Sequence, residues 1–136
     1  MPLIRLTLII FGLMIYTHLQ ASVDGGGEAG GDFSYVSLEP AFVVNVNDGL
    51  RVRHMQITLQ VRLKQADFAA YIEKYDPAIR HEMVMLLSGQ ETGKLKTVAG
   101  KQELMDQALT AIQKVLQDNI GNPGIDAVYF TDLIIQ

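Results

Sequence analysis

The chain contains no cysteine, which excludes disulfides, thiolate-ligated zinc, iron–sulfur clusters and thiol catalysis together. Positive charge is also scarce. Eleven Lys and Arg stand against fifteen Asp and Glu, a formal net charge of −4. The basic residues are dispersed, Lys94 and Lys96 forming only a spaced pair. Nucleic acids and anionic headgroups need a basic footprint, so neither is an expected partner. No internal repeat is visible. What the chain does have is apolar mass: 49% of its 136 residues are hydrophobic. That suits one folded domain with a targeting segment, and argues against wholesale disorder.

The amino-terminal segment, residues 1–21, carries Arg5 and then an uncharged apolar run, Leu6 to Tyr16. Thr17 to Ser22 is polar and ends in small residues. These are the parts of a secretory signal cut between Ala21 and Ser22. A short retained anchor is the alternative, although a spanning helix needs about 20 apolar residues. A core helix fits poorly, because the run is apolar on every face. Either of the first two readings puts the domain outside the cytoplasm, in the periplasm, and the second ties it to the inner membrane. Residues 22–33 follow, rich in Gly with Asp24, Glu28 and Asp32; such a stretch buries nothing and reads as a flexible tether.

The folded body, residues 34–136, opens with two short extended segments, Phe33 to Glu39 and Ala41 to Val46, divided by Pro40. Asn47-Asp48-Gly49 signals a turn. Met55, Ile57, Leu59, Val61 and Leu63 then alternate with His54, Gln56, Thr58, Gln60 and Arg62. Period two over that length predicts a strand with one buried and one open face. The pattern turns helical at Phe68, Ile72 and Tyr75. Asp76 as N-cap and Pro77 at the first position start a second helix with the stripe Ile79, Met83, Leu86 and Leu87, stopped at Gly89. After a linking segment at Lys94 to Lys96, Thr97 caps a third helix striped by Leu104, Ala108, Ile112, Val115 and Leu116. Gly121-Asn122-Pro123-Gly124 ends it, and Ile125 to Gln136 is a last strand. Val128 and Phe130 share one phase there and Leu133 and Ile135 the other, so the strand bulges near Thr131-Asp132 or is covered on both faces. The expected class is α+β, an antiparallel-rich sheet with three helices in the order β-β-β-α-α-α-β.

Signs of chemistry fail on inspection. His81-Glu82 begins like a zincin helix, but Met85 takes the place of the second histidine, and a thioether cannot replace that imidazole on zinc. Gly89 to Leu95 resembles a phosphate loop one residue too short, with Leu95 where Ser or Thr would ligate magnesium; a surface turn accounts for it. His54 has no second histidine near it. Met83 and Met85, with Met105 elsewhere, fit core filling better than a soft-metal site. No catalytic, cofactor-binding or metal-ligating residue is assigned. A hydrolase would require a pocket of His or carboxylates assembled only by folding.

Tyr35 to Pro40 with Phe42-Val43-Val44-Asn45 opens the body, and Arg51 to His54 leads into the long strand. Pro77 to Arg80, Leu86 to Ser88, Gly100 and Leu104 mark the helical middle, and Val128 to Asp132 with Gln136 the ending. Together and in this order these spans resemble the FliL family of flagellar basal-body proteins, although Leu133 stands where that family commonly has an aromatic. The resemblance covers Tyr35 to Gln136. It implies a stomatin-like (SPFH-like) periplasmic domain that associates with the basal body, contacts motor stator units, forms rings as a homo-oligomer and supports motility. Members commonly carry a cytoplasmic tail and a full anchor, so the short apolar run here suggests a periplasmic paralogue. A stomatin-like scaffold outside the flagellum is the second reading. Within the domain, Gln56, Thr58, Gln60 and Arg62 form the candidate partner surface, against the plainer reading of a solvated sheet face.

Overall fold

A computed structural model describes residues 33–136; Ala21, Ser22 and the apolar run lie outside the described residues. Three antiparallel strands form one sheet in the order β1-β2-β3, where β1 is Ser34–Asp48, β2 Arg51–Leu63 and β3 Ile125–Ile135. Between β2 and β3 the chain makes a 3₁₀ turn at Ala66–Phe68 and four helices: α1 Ala69–Lys74, α2 Asp76–Ser88, α3 Thr92–Leu95 and α4 Val98–Ile120. The class is α+β, and the order is β-β-α-α-α-α-β.

Two elements differ from expectation. The segments on either side of Pro40 are one strand. Pairing with β2 runs from Ser34↔Leu63 to Leu38↔Leu59, shifts, and resumes at Phe42↔Ile57. Pro40 cannot donate to a ladder, but a bulge absorbs it without ending the strand. The segment around Lys94 is also not merely a link. It is the one-turn helix α3, held inward by Leu95 and Thr92, each 1% exposed. Gly100 makes room for it, since a Cβ there would overlap the Lys94 carbonyl.

The alternation in β2 holds throughout: Met55, Ile57, Leu59, Val61 and Leu63 are all buried. All the helices' buried hydrophobic side chains belong to the same core cluster, with α2 packed against β1 and α4 against β3. The hairpin closes through Gly49 and Leu50, with Gly49 at φ 68°, as a two-residue connection led by glycine requires. At the far end, Gly121 caps α4 at φ 69°. Thr97 Oγ1 accepts the Gly100 amide at 2.9 Å, the expected cap. Asp76 does not cap α2. It is the helix's first residue, and its carboxylate instead accepts from Arg80 Nε at 3.0 Å. Tyr75 joins α1 directly to α2, so no free first turn needs a side-chain cap.

The phase change in β3 has a single cause. Thr58 pairs with Asp132 and Leu59 with Phe130, so Thr131 is an extra residue. The bulge returns Leu133 and Ile135 to the core side with Val128 and Phe130.

Candidate interaction face

The residues that raised catalytic possibilities do not converge. His81 and Glu82 are exposed on α2, and His54 is exposed on β2. Met83 is fully buried, whereas Met85 is 64% exposed and Met105 half-buried on α4. The Gly89–Leu95 stretch is more than the expected surface turn, because half of it folds inward as α3. Among the described residues no group of three or more His, Asp and Glu could hold a metal ion. An open groove lies along α4, lined by Glu82, Gln102, Glu103, Asp106 and Lys114 among others. It is an open helix surface with no nucleophile–base pair.

The four residues of the proposed partner surface do share one face. They point from the middle strand to the side opposite the helices: Gln56 is exposed, and Thr58, Gln60 and Arg62 are half-buried by their neighbours. Register identifies those neighbours. Arg62 lies between Tyr35 and Ala127, Gln60 between Ser37 and Tyr129, and Gln56 between Val43 and Ile134. Tyr35, Val43, Tyr129 and Ile134 remain exposed, between 38% and 66%. Tyrosine and arginine are among the residues enriched at protein interfaces. Sequence reasoning missed these flanking residues. Their signal was present, since each is out of phase with the buried positions of its own strand.

Geometry also orders one end of the face. The Tyr35 and Tyr129 rings meet over β2 with centroids 6.1 Å apart. Arg62 donates from Nε to Asp126 Oδ1 at 2.6 Å, and its guanidinium lies 4.7 Å from the Phe33 ring centroid. The Asp126 hydrogen bond, offset in part by desolvation, raises the Arg62 pKa further above its ordinary value. A second register shift, between Arg62 and Leu63, places Asp126 where it can reach that arginine. At the other end of β1, Asp48 accepts from Thr92 Oγ1 at 2.6 Å and from Arg53 Nε at 3.1 Å. The Thr92 bond first, then the Lys96 and Arg53 charges, hold its carboxyl below the ordinary range, against some desolvation. The arrangement can bind and orient. It contains no group poised to move a proton or attack a substrate.

The model of the family described as "Flagellar basal body-associated protein FliL" matches residues 35–136 of this sequence, the whole body just described apart from its first two residues. The chain belongs to the FliL family. The flagellar protein FliL of Aquifex aeolicus is 25% identical over 99 residues, covering 73% of this chain and 59% of that protein. The flagellar protein FliL of Escherichia coli K12 is 30% identical over 95 residues, covering 70% and 60% respectively. The chain thus spans about 60% of the length of these curated relatives. Membership places it with proteins described as flagellar and associated with the basal body. Leu133 is half-buried opposite Ile57 and packs against the core. Among the described residues no helix is long and apolar enough to cross a membrane.

Proposed function

We propose that the protein is a periplasmic accessory of the flagellar basal body that binds motor stator units, supports their output and performs no chemistry. Family membership carries the basal-body part of this reading. The observation that supports a binding role is the sheet face opposite the helices, where Gln56, Thr58, Gln60 and Arg62 are framed by exposed Tyr35, Val43, Tyr129 and Ile134. Residues 1–21 act as an export signal or short anchor, residues 22–33 as a tether, and 34–136 as the working domain, which self-associates beside the membrane complex. The stomatin-like architecture belongs to the same proposal.

Deletion of the gene, complemented by plasmid-borne variants, tests it. Swimming and swarming should fall on deletion while growth and envelope integrity stay normal. Wild type should restore motility, and a Gln56→Arg/Gln60→Arg double variant, still present at normal levels, should not. Normal motility in a clean deletion without a second homologue would instead favour a stomatin-like scaffold outside the flagellum. Intact-mass measurement of the native protein separates the two readings of the amino terminus. A mature chain beginning at Ser22 supports cleavage; retained Met1 with membrane association supports the anchor.

A further inference from the structure

The sheet has two edges, and they are finished differently. Along β1, Pro40 offers no amide, and its carbonyl is taken by Arg80 Nη2 at 2.9 Å. The shift between Leu38 and Phe42 breaks the ladder there. At the other end of that edge, Asn47 bonds to Gln90 and forms a parallel bridge with Glu91. Proline, a bulge and a covering segment are the usual ways to close an edge against another strand.

Among the described residues, edge β3 lacks that closure over one stretch. His54 and Gln136 exchange both backbone hydrogen bonds, each at 2.9 Å. Antiparallel pairing alternates, so the even-numbered residues of β2 bond toward β3. With Arg62 opposite Ala127 and Gln60 opposite Tyr129, Val128 and Phe130 turn their N–H and C=O groups outward. Upstream the edge ends where Gln113 Nε2 donates to the Ile125 carbonyl at 2.9 Å. Downstream it ends at the Thr131 bulge. Between these stops runs a groove of about 310 Å³, walled by α4 and β3 and lined by Met105, Asp106, Leu109, Asp126, Val128 and Tyr129 among others.

The layers explain why the groove exists. Helices pack with axes about 8–10 Å apart, and strands lie about 4.8 Å apart. A two-helix layer therefore matches about four strands, and this sheet has three. With α2 against β1 and α4 against β3, the half-buried Met105 and Leu109 sit where a fourth strand would pack. No Lys or Arg lines the groove. Asp126 is already paired with Arg62, which leaves Asp106 as the carboxylate facing an incoming chain. The glycine-rich residues 22–32 of this chain carry acids and few apolar side chains, so they fit neither demand.

We propose that the β3 edge from Asp126 to Phe130 is a strand-addition site. Its occupant is an extended segment of a partner protein with apolar side chains at alternate positions and a basic residue opposite Asp106. Main-chain bonds to Val128 and Phe130 supply affinity, and the Met105–Leu109 wall selects the apolar side chains. This goes beyond the flagellar reading, because it rests on the edge geometry and holds for any partner with that chemistry.

The test uses the full-length protein in detergent micelles and a fluorescent peptide of alternating Val and Thr with a Lys at each end. Binding should be saturable, and hydrogen exchange at the Val128 and Phe130 amides should slow on saturation. A peptide N-methylated on its edge-facing amides should bind at least about tenfold more weakly, since strand addition depends on those bonds. Asp106→Lys, at an exposed site, should weaken the Lys-ended peptide and strengthen a Glu-ended one. Four results would overturn the proposal. These are no saturable binding, equal binding of the N-methylated peptide, protection at Val43 and Asn45 on β1 instead, and peptide-free protection that grows with protein concentration. The last would give the edge to a second copy of the chain.

Discussion

The two faces of strand β2 have opposite fates. Toward the helices, Met55, Ile57, Leu59 and Val61 are fully buried. Toward the other side, Gln56, Thr58, Gln60 and Arg62 lie under no helix, yet Tyr35, Val43, Tyr129 and Ile134 crowd them with apolar surface. The inner face explains why the domain is stable. The outer face adds no side chain to that core, and that difference is what directs attention to it as the proposed partner surface. One strand can serve both sides because successive side chains point in opposite directions.

The comparison can be broken most severely at its third strand. Cutting the chain after Phe130 removes the pairing of β2 from His54 to Thr58. It also uncovers Met55 and Ile57 by deleting Ile135 and Leu133 opposite them. We expect an insoluble or molten product without near-ultraviolet dichroism; a soluble domain with an unchanged cooperative melt would show that β3 is peripheral. Next in size, Leu59→Ala should cost about 2–5 kcal/mol in denaturant unfolding, as core truncations do. Its neighbour Gln60→Ala should stay within about 0.5 kcal/mol. Equal losses at the two positions would erase the distinction between the faces. Smaller again, Asp126→Asn loosens the Arg62 ion pair, whose partners are both partly exposed. Solvent screens such pairs and they contribute little, so the melting point should barely move.

The smallest effect depends on pH, at the hairpin end of the sheet. The Asp48 carboxyl sits below its ordinary 3.8 in the folded state. Its contribution is therefore complete above pH 3.8 and is lost as the pH falls through the lower folded value. Thr92→Val removes the principal hydrogen bond behind the shift. The variant's deficit in melting temperature should be constant from neutral pH down to about pH 4 and should shrink below it. A deficit independent of pH would mean that Thr92 acts only by packing.

Much of this was legible in the sequence, for identifiable reasons. Strand β2 declared itself because the alternation from His54 to Leu63 has no helical counterpart. The caps of α4 were legible because Thr97 and Gly121 act within a few residues of themselves. The phase change at Thr131-Asp132 announced the bulge, although only pairing could choose between a bulge and two covered faces. What was missed depended on distance in the chain. Asp76 looked like a cap, but α1 runs straight into α2 and its carboxylate meets Arg80. Pro40 looked like a break between strands, but β2 supplies a continuous partner on both sides of it. Half of the outer face was visible in the polar residues of β2. Tyr35 and Tyr129 joined it only through register, which brings together residues 94 positions apart.

The most direct measurement is photo-crosslinking in swimming cells, with a photoreactive amino acid placed at Gln56 on the open sheet face or at Gln107 on the exposed side of α4. The account predicts a covalent adduct with a stator subunit from position 56, lost when the stator genes are deleted, and little or none from position 107. Adducts of equal yield from both positions, or a stator adduct from 107 and not from 56, would contradict it.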